Sequence, residues 1–114
     1  MKLKDILKVK GSKVWSIRAN QKISEAIEVL IAQRIGALLV FDEKGAVAGI
    51  LSERDIVRGC RQNLRALGTM PVSELMTPKI ITASPEDDIK NIMEVMTANR
   101  VRHIPVIGET GLEG

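Results

Sequence analysis

The sequence predicts an α/β (α+β) protein built from two β-α-β-β-α repeats packed with pseudo-twofold symmetry, the second repeat incomplete. Three observations carry that prediction. The two halves of the 114-residue chain can be laid over one another. Within each half the hydrophobic period switches between that of a buried strand and that of a one-faced helix. The core must also be aliphatic, because Trp15 and Phe41 are the only aromatic residues.

The repeat is explicit. "VWSIRANQKISEAIEVLIAQRIGALLVFDEKG" (14–45) matches "IITASPEDDIKNIMEVMTANRVRHIPVIGETG" (80–111) at a constant offset of 66 residues. Val14 falls on Ile80, Ile27 on Met93, Leu30 on Met96 and Val40 on Val106. The leaders "LKDILK" (3–8) and "VSELMT" (72–77) also agree. Two units are too few for a solenoid, so they are expected to pack face to face.

In the first copy, Val14–Ile17 reads as a short strand. Apolar residues at 23, 26, 27, 30, 31 and 35 form one helical stripe. "GALLVFD" is a buried strand that enters a turn at Asp42–Gly45, and "AVAGILS" is its returning partner. From Glu53 a helix resumes through about Leu67, with Ser52 as its N-cap and Asp55 as its first-turn acid. In the second copy, Thr82–Ser84 leads to a helix with Ser84 as N-cap and Pro85 in the first helical position. "HIPVI" is the central strand. The expected organisation is repeat 1 with its leader at 1–67, a linker and second leader at 68–78, and repeat 2 at 79–114 without its final strand and helix.

Composition limits the function. A net charge of +3, with 45% hydrophobic and 27% charged residues, is ordinary for a soluble domain and too mild to define a nucleic-acid protein. Lys2, Lys4, Lys8, Lys10 and Lys13 read as a solvated N-terminal face. One cysteine, Cys60, excludes an internal disulfide, and with the single His103 it leaves no zinc set. No apolar run is long enough to span a bilayer, and the N-terminus lacks a signal-peptide centre, so a cytoplasmic protein without membrane attachment is expected. Ser52 has no evident base with a supporting third group, so catalysis is not expected.

The heptapeptide "GILSERD" (49–55) by itself fits either a capped helix start or a ligand site. Its context decides between them. With "SEAIEVLIAQRIGALLVFDEKGAVAGILSERD" and "MTPKIITASPEDDIKNIMEVMTANRVRHIPVI", the chain resembles a tandem pair of CBS domains (a Bateman module). Similar pairs occur in inosine monophosphate dehydrogenase, in the γ subunit of AMP-activated protein kinase and as small stand-alone proteins.

The resemblance implies a non-catalytic sensor that binds an adenosine-containing ligand between its repeats: AMP, ADP, ATP, S-adenosylmethionine or NAD. It would pass the ligand state to a partner enzyme or transporter. Gly49 would allow close approach of backbone and ligand, Ser52 would contact ribose or phosphate, and Asp55 would accept both ribose hydroxyls. A carboxylate has two acceptor oxygens spaced for a vicinal diol. Arg102 and His103 match the family's paired phosphate-holding positions, where copy one has Gly36 and Ala37. An imidazole there would add pH sensitivity. Arg54 and Arg58, one turn apart, would supplement them or form a solvated face. The adenine slot would be Val14, Trp15 and Ile17 for the Asp55 site, and Thr77, Pro78 and Ile80 at the equivalent place in copy two. Trp15 would stack on a base or fill the core. The alternative is a protein-interaction or nucleic-acid-binding domain using the basic surface.

Gly114 corresponds to Gly49 if the second turn is one residue shorter. The expectation is therefore a chain truncated in repeat 2, with at most one complete nucleotide site. A homodimer, as in the family's four-domain discs, would cover the exposed apolar surface.

Overall fold

The computed structural model describes residues 1–114. In chain order the elements are α1 (Leu3–Lys10), β1 (Ser16–Arg18), α2 (Ile23–Gln33), β2 (Ala37–Phe41), β3 (Val47–Ser52), α3 (Glu53–Asn63), a 3₁₀ turn (Leu67–Thr69), α4 (Val72–Leu75), α5 (Ile89–Asn99), β4 (Ile107–Gly108) and β5 (Gly111–Leu112). The fold is mixed α/β, as the hydrophobic pattern predicts. No helix is long and apolar enough to cross a membrane. The chain divides into two compact units, one of Trp15–Ile80 and one of Met1–Val14 with Ile81–Gly114.

In the unit of residues 15–80, β1, β2 and β3 form one sheet in that order. β1 is parallel to β2, from Ser16 opposite Leu39 to Arg18 opposite Phe41. β3 returns antiparallel, with Ala37 opposite Ser52 and Val40 opposite Gly49. Phe41 then faces Val47, so Ala48 is the extra residue of a bulge. Strand β1 starts two residues after the expected Val14 and ends one after Ile17, and the Trp15 carbonyl just before it accepts from the Leu39 N–H at 3.1 Å.

The sheet is covered by the apolar stripe of α2, which buries Ile23, Ala26 and Leu30. With Ile17, Leu38, Val40, Leu51, Leu67, Val72 and Leu75 these residues make the core cluster. Leu67 is buried as its spacing predicts, but it sits in the 3₁₀ turn. Helix α3 has already ended at Asn63, whose Oδ1 accepts the Ala66 N–H at 3.2 Å.

The second leader, Met70 to Thr77, is part of this unit. Ile23 N–H donates to Met70 O, Val72 N–H to Gln21 O, and Ser73 N–H to Ala19 O. The other unit repeats these bonds with the first leader. Ile89 N–H donates to Met1 O, Leu3 N–H to Asp87 O, and Lys4 N–H to Pro85 O. Each leader is therefore found with the body of the other copy, and six residues correspond one for one.

These bonds displace the start of α5. The sequence predicts Ser84 as N-cap and Pro85 as first helical residue, but the helix begins at Ile89 with Asp88 as the cap. The carbonyls of Pro85 and Asp87, which a helix would use internally, accept from the leader instead. Ser84 closes a turn, its N–H donating to Asp87 Oδ2 at 2.8 Å.

The second central strand is also shorter than "HIPVI". Ala83 and Val106 form an isolated parallel bridge where copy one has Ile17 opposite Val40 in the middle of a ladder. Pro105 stands at the position of Leu39 and has no N–H to give, so the bond that Leu39 makes has no counterpart. Val106 donates to Gly114 O and accepts from Glu113 N–H, while Ile107 faces Leu112. Glu113 and Gly114 thus oppose Val106 as Ala48 and Gly49 oppose Val40, the register that the one-residue-shorter turn requires.

Candidate ligand site

The stretch from Gly49 to Arg58 runs from β3 into α3, all within the unit of residues 15–80. Ser52 leaves the strand with extended backbone and caps α3, its Oγ accepting the Asp55 N–H at 3.3 Å. Asp55 closes the reciprocal half of the capping box, Oδ2 accepting the Ser52 N–H at 2.9 Å and the Ser52 hydroxyl at 3.1 Å.

The other carboxylate oxygen faces two longer-reaching partners. Arg58 Nη2 lies 2.6 Å from Asp55 Oδ1, and the Thr77 hydroxyl donates to the same oxygen at 3.2 Å. Asp55 is 3% exposed and is the only buried charged residue of the chain. Its partner Arg58 keeps more than half of its side chain in solvent.

Gly49 explains how Thr77 reaches this place. Ile50 and Thr77 exchange two backbone hydrogen bonds, at 3.0 and 2.8 Å. A Cβ on Gly49 would collide with the Thr77 carbonyl oxygen and sit 3.2 Å from Met76 Sδ. The missing side chain is what lets the second leader lie against β3.

The structure thus brings Gly49, Ser52, Asp55, Arg58 and Thr77 together. The resemblance implies Thr77 at the equivalent place in copy two; in the structure its hydroxyl is a direct partner of Asp55, because the second leader packs on the first copy. No local signal in the sequence marks that exchange. The Asp55–Arg58 pair did carry a signal, the i,i+3 spacing of opposite charges on a helix.

The remaining candidates are placed individually. Arg54 is exposed on the first turn of α3. Ile17 is 4% exposed within the core, and the half-buried Trp15 packs against that core. Pro78 is exposed and Ile80 half-buried. In the other unit, Val14 is exposed, and Arg102 and His103 are adjacent exposed residues just before Ile104-Pro105-Val106. Two cavities of the 15–80 unit lie elsewhere. One of about 830 Å³ is lined by Arg18, Asn20, Asp42 and Glu43, and an apolar one of about 500 Å³ by Ile27, Ile31, Ile56 and Val57. Asp55 lines neither.

A tandem β-α-β-β-α architecture, with a Gly-x-x-Ser-x-x-Asp segment at the strand-to-helix junction, defines a class of paired repeat modules. The chain belongs to the CBS-domain family: the CBS domain model matches residues 3–61 and 72–114. The CBS domain-containing protein CBSX3, mitochondrial, of Arabidopsis thaliana is 35% identical over 98% of this chain, which spans 58% of that protein's length. The CBS-domain containing protein ATU1752 from Agrobacterium tumefaciens is 35% identical with a TM-score of 0.95, over 99% of this chain and 84% of that one. The CBS domain pair of protein MJ0100, solved with 5-methylthioadenosine and S-adenosyl-L-methionine, is 27% identical. Its TM-score is 0.85, over 100% of this chain and 86% of that one.

Proposed function

We propose that this CBS pair is a non-catalytic regulatory module that binds an adenosine-containing ligand through Asp55. The candidates are AMP, ADP, ATP, S-adenosylmethionine and NAD, and the ligand state would be read by a partner enzyme or transporter. The observation that carries this reading is a buried carboxylate at the start of α3, flanked by a serine hydroxyl, a threonine hydroxyl and an arginine. Those groups suit a ribose diol with an anionic substituent nearby. A related CBS pair solved with two adenosyl compounds supports the ligand class. Arg102 and His103 are the proposed phosphate-holding residues of the second copy.

The mechanism is a population shift. A ligand that binds one arrangement of the module better than another favours that arrangement by its difference in affinity. Pairing of two chains is part of the proposal, through the apolar strip of α2 and α3 where Ile31 and Val57 are 72% and 69% exposed. A chain that stays monomeric in light scattering would remove that part.

Titration calorimetry with AMP, ATP, S-adenosylmethionine, NAD and a short DNA duplex tests the reading, with Asp55→Asn as control. The expected result is binding of at least one adenosyl compound that Asp55→Asn weakens at least about tenfold, the scale of a charge-assisted hydrogen bond. Undiminished binding to the variant would sink the site assignment. Duplex binding with a steep salt slope and no response to nucleotides would favour the basic-surface alternative. That surface is reduced by the engagement of Lys2 and Lys4 with Glu86.

A further inference from the structure

In this structure the carboxylate proposed to hold a ribose has all its acceptor sites engaged by protein donors. A carboxylate offers about four lone-pair sites, and Asp55 receives four hydrogen bonds, from Ser52 N–H, Ser52 Oγ, Arg58 Nη2 and Thr77 Oγ1. A diol must displace at least one of them. The two on Oδ2 belong to the turn that starts α3, and removing them would unwind the helix start. The two on Oδ1 come from residues with exposed side chains, Arg58 and Thr77.

Those two differ in chemistry. The Thr77 hydroxyl both donates and accepts, so it can rotate and remain hydrogen-bonded to an arriving hydroxyl. The Arg58 guanidinium only donates, carries a full charge, and makes the shortest contact of the four at 2.6 Å. To leave, it needs another anion. A ligand that carries a phosphate or carboxylate beside its ribose brings one, and a neutral nucleoside does not.

Resting on the adenosyl reading above, we infer that Arg58 is a latch that selects anionic adenosyl ligands over neutral nucleosides. Closed on Asp55, it blocks the diol site. Released, its guanidinium transfers to the anion of the ligand. Because 53% of its side chain is exposed, it turns outward without disturbing the core.

The test compares adenosine with AMP by calorimetry on the wild type, on Arg58→Met, which keeps the apolar stem without the charge, and on Arg58→Lys. Wild type is expected to prefer AMP. In Arg58→Met adenosine should bind more tightly than to wild type, AMP should not, and the AMP-to-adenosine affinity ratio should fall by about tenfold or more, the scale of a lost charge-assisted pair. Arg58→Lys should keep part of the preference, and it provides the comparison if the methionine variant melts early. An unchanged ratio in both variants, or a wild type that prefers adenosine, overturns the latch and leaves the adenosyl reading standing. A wild type that binds none of adenosine, AMP, ATP, S-adenosylmethionine or NAD overturns both.

Discussion

At Gly49 a single methyl group is enough to move a segment. The atom in the way is the backbone carbonyl of Thr77, which cannot rotate aside as a side-chain end could. Gly49→Ala is therefore expected to break the paired hydrogen bonds between Ile50 and Thr77 and withdraw the Thr77 hydroxyl from Asp55. The stability loss should be about 1–3 kcal/mol, typical of overpacking a filled site, measured by urea denaturation. Gly59 is a useful contrast. There an added Cβ would meet the methyl ends of Leu75 and Leu67, at 2.6 and 2.9 Å, which can shift. A smaller loss at Gly49 than from Gly59→Ala would mean that the leader can give way. The sequence marked Gly49, Ser52 and Asp55 because they share one local turn, whose capping pattern is a rule of spacing. It could not mark Thr77, which lies 22 residues from Asp55 and arrives by a path that no local pattern encodes.

Among the elements, α1 shows how a charged leader is held. None of its residues is buried, and its links to the second copy include backbone bonds to residues 85–89 and the contacts of Lys2 and Lys4 with Glu86 at 2.8 and 3.1 Å. Glu86 is held below its ordinary pKa of 4.5, first by the hydrogen bond from Lys2 and next by that from Lys4. Lys2 is raised above its ordinary 10.5, chiefly by its hydrogen bond to Glu86. A lowered acid contributes stability that is present above its unfolded pKa and is lost as pH falls through the folded one. A raised lysine contributes below its unfolded pKa and loses that as pH rises through the folded one. The contact is thus whole across neutral pH and weakens in acid from about 4.5 downward. All three groups are exposed, so salt should screen the effect. NMR titration of the Glu86 carboxyl should place its midpoint below 4.5 at low salt and closer to it at high salt. A midpoint at or above 4.5 in low salt would show that the lysines do not hold it in solution.

The same leader shows which elements were legible. The repeat, the two apolar stripes and the first hairpin follow from periodicity, because α2, β2 and β3 bury most of their apolar faces within one copy. The start of α5 is not legible because Ser84, Pro85 and the acids around them form a good helix start in isolation, whereas the helix begins at Ile89. In the fold the carbonyls of Pro85 and Asp87 have a competing partner in the leader. Tertiary hydrogen bonds outweigh the local signal. In "HIPVI", strand propensity was outweighed by a proline that removes the one donor the ladder needed.

On the scale of the whole chain the apolar core is unevenly divided. All ten residues of the core cluster lie between Ile17 and Leu75. The unit that contains both chain ends has only Ala83 and Val106 among the buried hydrophobic residues, and neither α1 nor α5 holds a fully buried residue. Apolar burial is the dominant favourable term in folding, so local stability should follow this division. The sequence supplies a reporter: Trp15, the only tryptophan, packs against the core of the continuous unit. Its fluorescence follows that unit, whereas far-ultraviolet circular dichroism also follows α1 and α5. Urea denaturation should give two curves that do not coincide, with part of the helical signal lost before Trp15 reports any change. Hydrogen exchange should agree, slowest at Leu38, Val40 and Leu51 and faster at Ala83, Val106 and along α5. Coincident curves with uniform protection would mean that the chain unfolds as one cooperative body.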